Sequence, residues 1–243
     1  MIRTLIYNLG LAFGLLKMMF SAPKCKKLEK EDPAAHDDLA NRLVNGWGKA
    51  CIKRSGAKME VSGLENVPKD RAVLFVANHQ SNFDILVLCG LLDCNKGFVA
   101  KKELKKVPLL SFWMKETHCL FLDRDNMKQS MQVIVQAYEQ LKNGYSMIIF
   151  PEGTRSKGKP VQEFKAGSFK PAIKAKVPVV PITIDGTYRV SDGTGDNKIH
   201  PADVNIVIHP MIETAALSKD EIKELPAKVR NIIVGSMKYT EVK

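Results

Sequence analysis

The sequence predicts a single α/β domain, its central mostly parallel or mixed sheet flanked by helices, preceded by an N-terminal membrane-associating helical hairpin. Three observations carry that expectation. From Ala57 onward, short β-branched and apolar runs alternate with amphipathic helical patterns; Thr4 to Phe20 is apolar apart from Thr4, Tyr7, Asn8 and Lys17; and a second helical stripe lies between Pro33 and Gly56. With 243 residues and 45% hydrophobic content, the chain suits one well-cored unit plus an appendage. This places the membrane-associating helices in residues 1–56 and the α/β domain in residues 57–243.

Crossing a bilayer takes about twenty apolar residues, so a run of this length with Lys17 near its end is marginal for spanning and sufficient for dipping into one leaflet. A buried core helix is the alternative. A cleavable signal peptide fits less well, because only Arg3 charges the leading end and no A-x-A-like site follows. Pro23-Lys24-Cys25-Lys26-Lys27 comes next; each Lys near an anionic leaflet contributes about 1 kcal/mol and keeps this flank cytoplasmic. Leu39, Leu43, Trp47 and Cys51 then recur every four residues, a stripe that either packs on the first helix or lies in the interface with Trp47 at headgroup depth. The expected contacts with an anionic phospholipid membrane are Leu5, Leu9, Phe13, Leu16, Lys24, Lys26, Lys27 and Trp47, holding the protein monotopically or peripherally at the cytoplasmic face of the cell membrane.

Ala72 to Ala77, Gly97 to Ala100, Cys119 to Leu122, Met147 to Phe150, Val177 to Ile184 and Val204 to Ile208 read as strands. Pro181 marks its run as an edge strand or the site of a bulge. The clearest helix runs from Met127 to Lys142, with Met131, Ile134, Val135, Tyr138 and Leu141 on one face and Asn143-Gly144 as the stop. A last amphipathic helix spans Ser218 to Met237, with an interruption expected at Pro226.

Charge narrows the partners. Against 26 Asp and Glu stand 37 Lys and Arg, a balance of +11 that attracts nucleic acid, phospholipid headgroups or phosphorylated molecules. An aromatic content of 7% without a basic-aromatic reader motif argues against nucleic acid. The five cysteines, Cys25, Cys51, Cys89, Cys94 and Cys119, form no Cys-x-x-Cys pair and have no His at zinc spacing, so free thiols in a reducing compartment are expected.

Two stretches carry chemistry: Asn78-His79-Gln80-Ser81-Asn82-Phe83-Asp84 and Phe150-Pro151-Glu152-Gly153-Thr154-Arg155-Ser156. Five residues apart, His79 and Asp84 cannot meet as neighbours on one helix. They can meet if a strand ends at Asn78, His79 sits in the turn and a helix starting near Ser81 carries Asp84 in its first turn. The carboxylate then fixes the imidazole tautomer, making His79 a general base. Ser81-x-x-Asp84 before an apolar run also matches a capping box, so Asp84 has a structural reading beside the catalytic one. No G-x-S-x-G elbow accompanies the pair, which favours direct attack by a substrate hydroxyl. Phe150 to Ser156 follows a strand at the edge where α/β sheets present ligands, and Arg155 suits a phosphate. Lys101, Lys102 and Arg124 follow other strands; a solvated lysine, or an Arg124 paired with Asp123 or Asp125, is the alternative for each. Gly153 to Lys159 resembles a P-loop, but Pro160 stands where the magnesium-binding hydroxyl belongs.

These residues resemble the glycerolipid acyltransferase family, specifically the bacterial 1-acylglycerol-3-phosphate acyltransferases. The resemblance runs from about Val61 to Ile184 through four ordered blocks: His79 to Asp84; Ala100-Lys101-Lys102-Glu103-Leu104 leading to Phe121-Leu122-Asp123-Arg124; Phe150 to Ser156; and Val177-Pro178-Val179-Val180-Pro181-Ile182. It implies transfer of a fatty acyl group from acyl-coenzyme A or acyl carrier protein to the sn-2 hydroxyl of lysophosphatidate, without metal or further cofactor. In that scheme His79 deprotonates the hydroxyl, Asp84 orients it, Lys101, Arg124 and Arg155 hold the phosphate, and Glu152 and Gly153 shape the acceptor site. Backbone N–H groups from Glu152 to Thr154 are candidates for the oxyanion. Ser111 and His118 stand where many members carry glycine, which touches the acyl tunnel and the local backbone path. Other acceptors, a thioesterase and a non-catalytic basic membrane module are the rival readings.

Overall fold

A computed structural model describes residues 2–240, so Met1 and residues 241–243 of the expected segments lie outside it. Three helices open the chain: α1 (Ile2–Met19), α2 (Ala22–Glu31) and α3 (Pro33–Ser55). The basic segment forms a helix of its own because Asp32 and Pro33 stop α2 and start α3, with the Asp32 side chain accepting from Ala35 N at 3.1 Å. At the other end Gly56 adopts φ 78°, a left-handed stop that suits glycine.

Leu5, Leu9, Phe13 and Leu16 are 53–63% exposed and line one side of α1, while Tyr7, Leu15 and Met18 are buried on the other. Trp47 corrects one expectation. Its Nε1 donates to Leu11 O at 3.2 Å and its ring packs on Gly14, so it joins α3 to α1 rather than reaching headgroup depth. Lys26 pairs with buried Glu116 at 2.7 Å and with Glu29 at 3.0 Å while its side chain stays half exposed. Lys24 and Lys27 stay exposed, Lys27 with Glu31 at 3.7 Å.

The sheet comprises β1 (Lys58–Ser62), β2 (Leu74–Ala77), β3 (Lys96–Lys101), β4 (Leu120–Leu122), β5 (Ser146–Ile149), β6 (Val179–Asp185) and β7 (Asp203–Ile208), in the order β1-β7-β6-β2-β5-β3-β4. Every neighbouring pair is parallel except β6 with β7. The edge strand β1 escaped sequence reading because Lys-Met-Glu-Val-Ser has only two apolar residues. Pro181 lies in β6, an interior strand, contrary to the expected edge position. Its missing N–H falls opposite His209, just past the last residue of β7, whose own N–H donates to Pro181 O at 2.9 Å. Beyond it Val179 pairs with Ile212 instead of Met211, a one-residue bulge on the partner segment.

Alternation along β2 builds two cores. Phe75 and Ala77 face α4 (Phe83–Leu91) and α3; Leu74 and Val76 face α6 (Met127–Lys142), α7 (Lys170–Ala175) and α9 (Lys219–Val234). Two shorter helices, α5 (Pro108–Glu116) and α8 (Thr187–Val190), complete the chain. The interruption expected at Pro226 is absent: α9 runs through it, with the imino residue buried in the core and a complete capping box at Ser218 and Glu221. All five cysteines are free, and burial pushes the Cys51 thiol up to about 11.

Ser111 and His118, where the resemblance leads one to expect glycine, each make polar contacts of their own. Ser111 returns its hydroxyl to Pro108 O at 3.1 Å inside α5. His118 takes the left-handed conformation itself, φ 53°, while its Nε2 bonds Asp37 at 2.8 Å. Asp37 also meets His36 Nδ1 at 3.0 Å, and His36 Nε2 meets Glu116 at 3.1 Å, so this polar cluster ties α3 to the end of α5.

Asn45 of α3 holds the N-terminal helices to α4: its amide donates to Cys89 O at 3.1 Å and Gly90 O at 3.2 Å, both buried. Asn45→Ala leaves those carbonyls unpaired and is expected to destabilise the protein by about 1–3 kcal/mol. Urea unfolding followed by tryptophan fluorescence in detergent measures this, and an unchanged midpoint would show the link to be dispensable.

Candidate active site

Strand β2 delivers His79 to the carboxyl edge of the sheet. Asn78 locks that exit to β6 by donating to Ile184 O at 2.7 Å and accepting from Ile184 N at 2.8 Å. The backbone of His79 is then gripped from both sides by the Phe150 to Ser156 turn: its N–H donates to Glu152 Oε1 at 2.7 Å, and its carbonyl accepts from Ser156 N at 2.7 Å. Helix α4 starts at Phe83, which puts Asp84 in its first turn, close to the arrangement that the spacing predicts.

Asp84 is fully buried and accepts from His79 Nδ1 at 2.7 Å, Gln80 N at 2.7 Å, Ser81 N at 2.9 Å and Thr187 Oγ1 at 2.5 Å. An ionised carboxylate only accepts, so Nδ1 carries the imidazole proton and Nε2 keeps its lone pair for the cleft. The ring is held flat against Phe150, with centroids 4.1 Å apart. The capping reading holds as well, in modified form: Asp84 takes the Ser81 N–H, while Ser81 Oγ takes Phe83 N at 3.0 Å. Thr187 and Gln80 were missed by sequence reading. Gln80 Oε1 accepts from Gly186 N at 2.9 Å, and its amide reaches Thr240 at 2.8 Å. The only available signal was that Thr187 follows the β6 run, whose carboxyl end neighbours that of β2.

A cleft of about 360 Å³ opens in front of His79 and brings together Lys101, Arg124, Gly153, Thr154 and Arg155, with Lys165 as a further cation. Lys102 is elsewhere, bound to Asp123 at 2.7 Å, so the alternative pairing of Arg124 with Asp123 is not formed. Arg155 is braced by Asp192 at 3.0 Å, and Asp192 in turn accepts from Asn82 N at 2.7 Å. Glu152 corrects its expected place. It points away from the cleft, is buried, and accepts from His79 N and from Gln162 N at 3.1 Å; burial raises its carboxyl above the usual range, against the lowering by these two donors. Its influence on the site passes through the backbone of His79. Gly153 adopts φ 75°, and a Cβ there would lie 2.8 Å from Lys165 Nζ. Its N–H is already taken by Phe150 O at 3.1 Å, which removes it as an oxyanion donor.

Beside the cleft, Ile85, Phe98, Ala100 and Leu104 lead into an apolar pocket of about 80 Å³ beneath α1, α3 and α5, lined also by Leu15, Met18, Trp47 and Trp113. An imidazole with a free ring nitrogen facing a ring of cations suits an anion whose hydroxyl must lose a proton, and the adjoining apolar pocket suits a fatty chain.

The acyltransferase family model matches residues 58–185. Among curated relatives, the 1-acyl-sn-glycerol-3-phosphate acyltransferase of Borreliella burgdorferi is 30% identical over 200 residues, covering 80% of this chain and 79% of that one. The protein of the same name from Escherichia coli is 29% identical over 237 residues, covering 96% and 89%. The crystal structure of the 1-acyl-sn-glycerophosphate (LPA) acyltransferase PlsC from Thermotoga maritima superposes with a TM-score of 0.80 at 31% identity, covering 96% of this chain and 93% of that one.

Asp84→Asn retains the shape but offers a single acceptor oxygen to a buried carboxylate's four donors, so one N–H or O–H faces an amide N–H. The expected cost is about 1–3 kcal/mol of stability, with the imidazole tautomer no longer fixed. Chemical denaturation and the ring ¹⁵N shifts of His79 report the two effects; an unchanged tautomer would show that Asp84 serves only as a cap.

Proposed function

The chain belongs to the acyltransferase family, and from that premise we propose that it transfers a fatty acyl group from a thioester donor, acyl-coenzyme A or acyl carrier protein, to the sn-2 hydroxyl of 1-acyl-sn-glycerol 3-phosphate. The product is phosphatidate. The observation that carries this reading is the cleft itself: the free nitrogen of an Asp84-oriented His79 opens onto a space shared by Lys101, Arg124 and Arg155.

In this reaction the three cations hold the phosphomonoester, which leaves the glycerol hydroxyl beside His79 Nε2. Nε2 takes the hydroxyl proton as the oxygen attacks the thioester carbonyl carbon. The charge that develops on the carbonyl oxygen faces the cations and the Thr154 end of the turn. When the tetrahedral centre collapses, the carbon–sulfur bond breaks and the leaving sulfur recovers the proton from His79. Asp84 stabilises the transient imidazolium at 2.7 Å without itself being protonated. The donor's fatty chain enters the apolar pocket beneath α1 and α3, whose volume of about 80 Å³ takes only part of it. No metal enters this scheme.

Membrane attachment follows from α1. Its 18 residues make it long and apolar enough to cross a bilayer by length and composition, yet its Tyr7 side is buried in the domain. The exposed Leu5, Leu9, Phe13 and Leu16 therefore enter one leaflet, each contributing about 1–2 kcal/mol. Lys24 and Lys27 add attraction to anionic lipid at the cytoplasmic face.

Release of thiol that depends on lysophosphatidate tests the function. His79→Ala abolishes it while the protein still sediments with anionic vesicles, and chelators leave the wild type unaffected. Preference for lysophosphatidylcholine over lysophosphatidate would overturn the acceptor assignment; release without any acceptor would make the protein a thioesterase. Arg155→Ala raises the acceptor KM by roughly ten- to a hundredfold, the equivalent of a lost charged hydrogen-bond set. An unmoved KM would restrict Arg155 to bracing Asp192.

A further inference from the structure

The cleft has two apolar extensions on opposite faces of the sheet, and the reaction above occupies one. Strand alternation separates them: along β3, Phe98 and Ala100 line the pocket beneath α1 and α3, whereas Val99 lines a groove on the other face. That groove, of about 210 Å³, joins the cleft at Arg124 and Ser168 and descends between α6 and α7 to Leu74, at the amino end of β2.

Its walls are apolar, chiefly Val133, Ile134 and Ala137 facing Pro171. Gly167 lies on its rim, and a Cβ placed there meets nothing within 4 Å, with no left-handed φ to require glycine. Neither backbone nor packing accounts for that residue; lack of a side chain keeps the groove open. Positive charge stands at the junction and again beyond the far end. Arg124 and Lys165 flank the junction with the cleft. One helical turn past Pro171, Lys174 Nζ lies 4.4 Å over the Tyr138 ring, and Lys142 Nζ lies 6.0 Å from the same ring.

An apolar trough that opens from the cleft and points past Ala137 and Pro171, one helical turn on, towards two ammonium groups beyond its own lining fits a linear group with a thioester at one end and a phosphate at the other. We propose that the groove receives the phosphopantetheine arm of the acyl donor, its sulfur towards His79 and its phosphate towards Lys174 and Lys142. The inference rests on the thioester-dependent reading above. Coenzyme A and acyl carrier protein share this arm, so the groove binds what the two donors have in common and leaves the rest of each outside the domain. Donor and acceptor then approach the same imidazole from different sides of the sheet edge.

Gly167→Leu fills the groove, and Lys174→Glu reverses the charge at its far end without touching the cleft. With the full chain, calorimetry measures binding of phosphopantetheine and of coenzyme A, and steady-state assays give KM for palmitoyl-coenzyme A, palmitoyl-acyl carrier protein and lysophosphatidate. Gly167→Leu is expected to weaken both donors by about tenfold or more, and Lys174→Glu by about three- to tenfold, with the acceptor KM within about twofold of wild type. If Gly167→Leu does not fold, Lys174→Glu decides alone. A rise in acceptor KM instead, a loss confined to one donor, or unmoved donor constants overturns the proposal. Phosphopantetheine binding that Gly167→Leu removes, in a wild type that fails to acylate lysophosphatidate, would leave the groove assigned and remove the acceptor.

Discussion

A single buried carboxylate organises the active end of this molecule. Asp84 collects donors from His79, Gln80, Ser81 and Thr187, which belong to the exit of β2, the start of α4 and the turn after β6. Buried charge is tolerated only when paired and hydrogen-bonded, and here the demand for partners is what holds three segments in register. The N-terminus of α4 adds its own partial positive charge, worth about 0.3–1 kcal/mol to an acid in the first turn. Orientation of the imidazole and structural capping are thus one arrangement, since the carboxylate that closes the helix end is also the one that selects the imidazole tautomer.

The second chemical stretch acts mainly as a clamp. Glu152 and Ser156 fasten the main chain of His79 on either side, and Phe150 supports the ring, so the imidazole is held in place by the protein alone. Its one outward-facing charge, Arg155, is itself braced through Asp192 to Asn82. The family motif therefore combines a rigid turn with a single cation, and the remaining cations of the cleft come from the ends of β3 and β4 and the loop after β5. Parallel strands make that convergence possible, because their carboxyl ends share one edge.

The N-terminal helices are built into the domain as well as offered outward. Asn45 on α4, Trp47 on α1, and Lys26 with His36 on Glu116 are all contacts with protein. Among the described residues the apolar stripe of α1 stays exposed, and the other side of the same helix lines the apolar pocket through Leu15 and Met18.

Local pattern made much of this legible. Alternating apolar runs located six of the strands, helical periodicity bounded α6, and the residue types at His79, Asp84 and Arg155 announced acid–base and anion chemistry, because each of these signals is carried by neighbours in the chain. What the sequence by itself could not decide depends on pairing between distant segments: Pro181 sits in an interior strand because β7 ends beside it, Trp47 turns inward because α1 is there to receive it, Lys26 is paired because Glu116 lies within reach, and Glu152 works behind the site because the β2 exit lies against it. Thr187, Lys165 and the groove between α6 and α7 exist only once the sheet has brought β6, β5 and the end of β3 together. Chemistry was written residue by residue; its geometry came from long-range contacts that no spacing along the chain encodes.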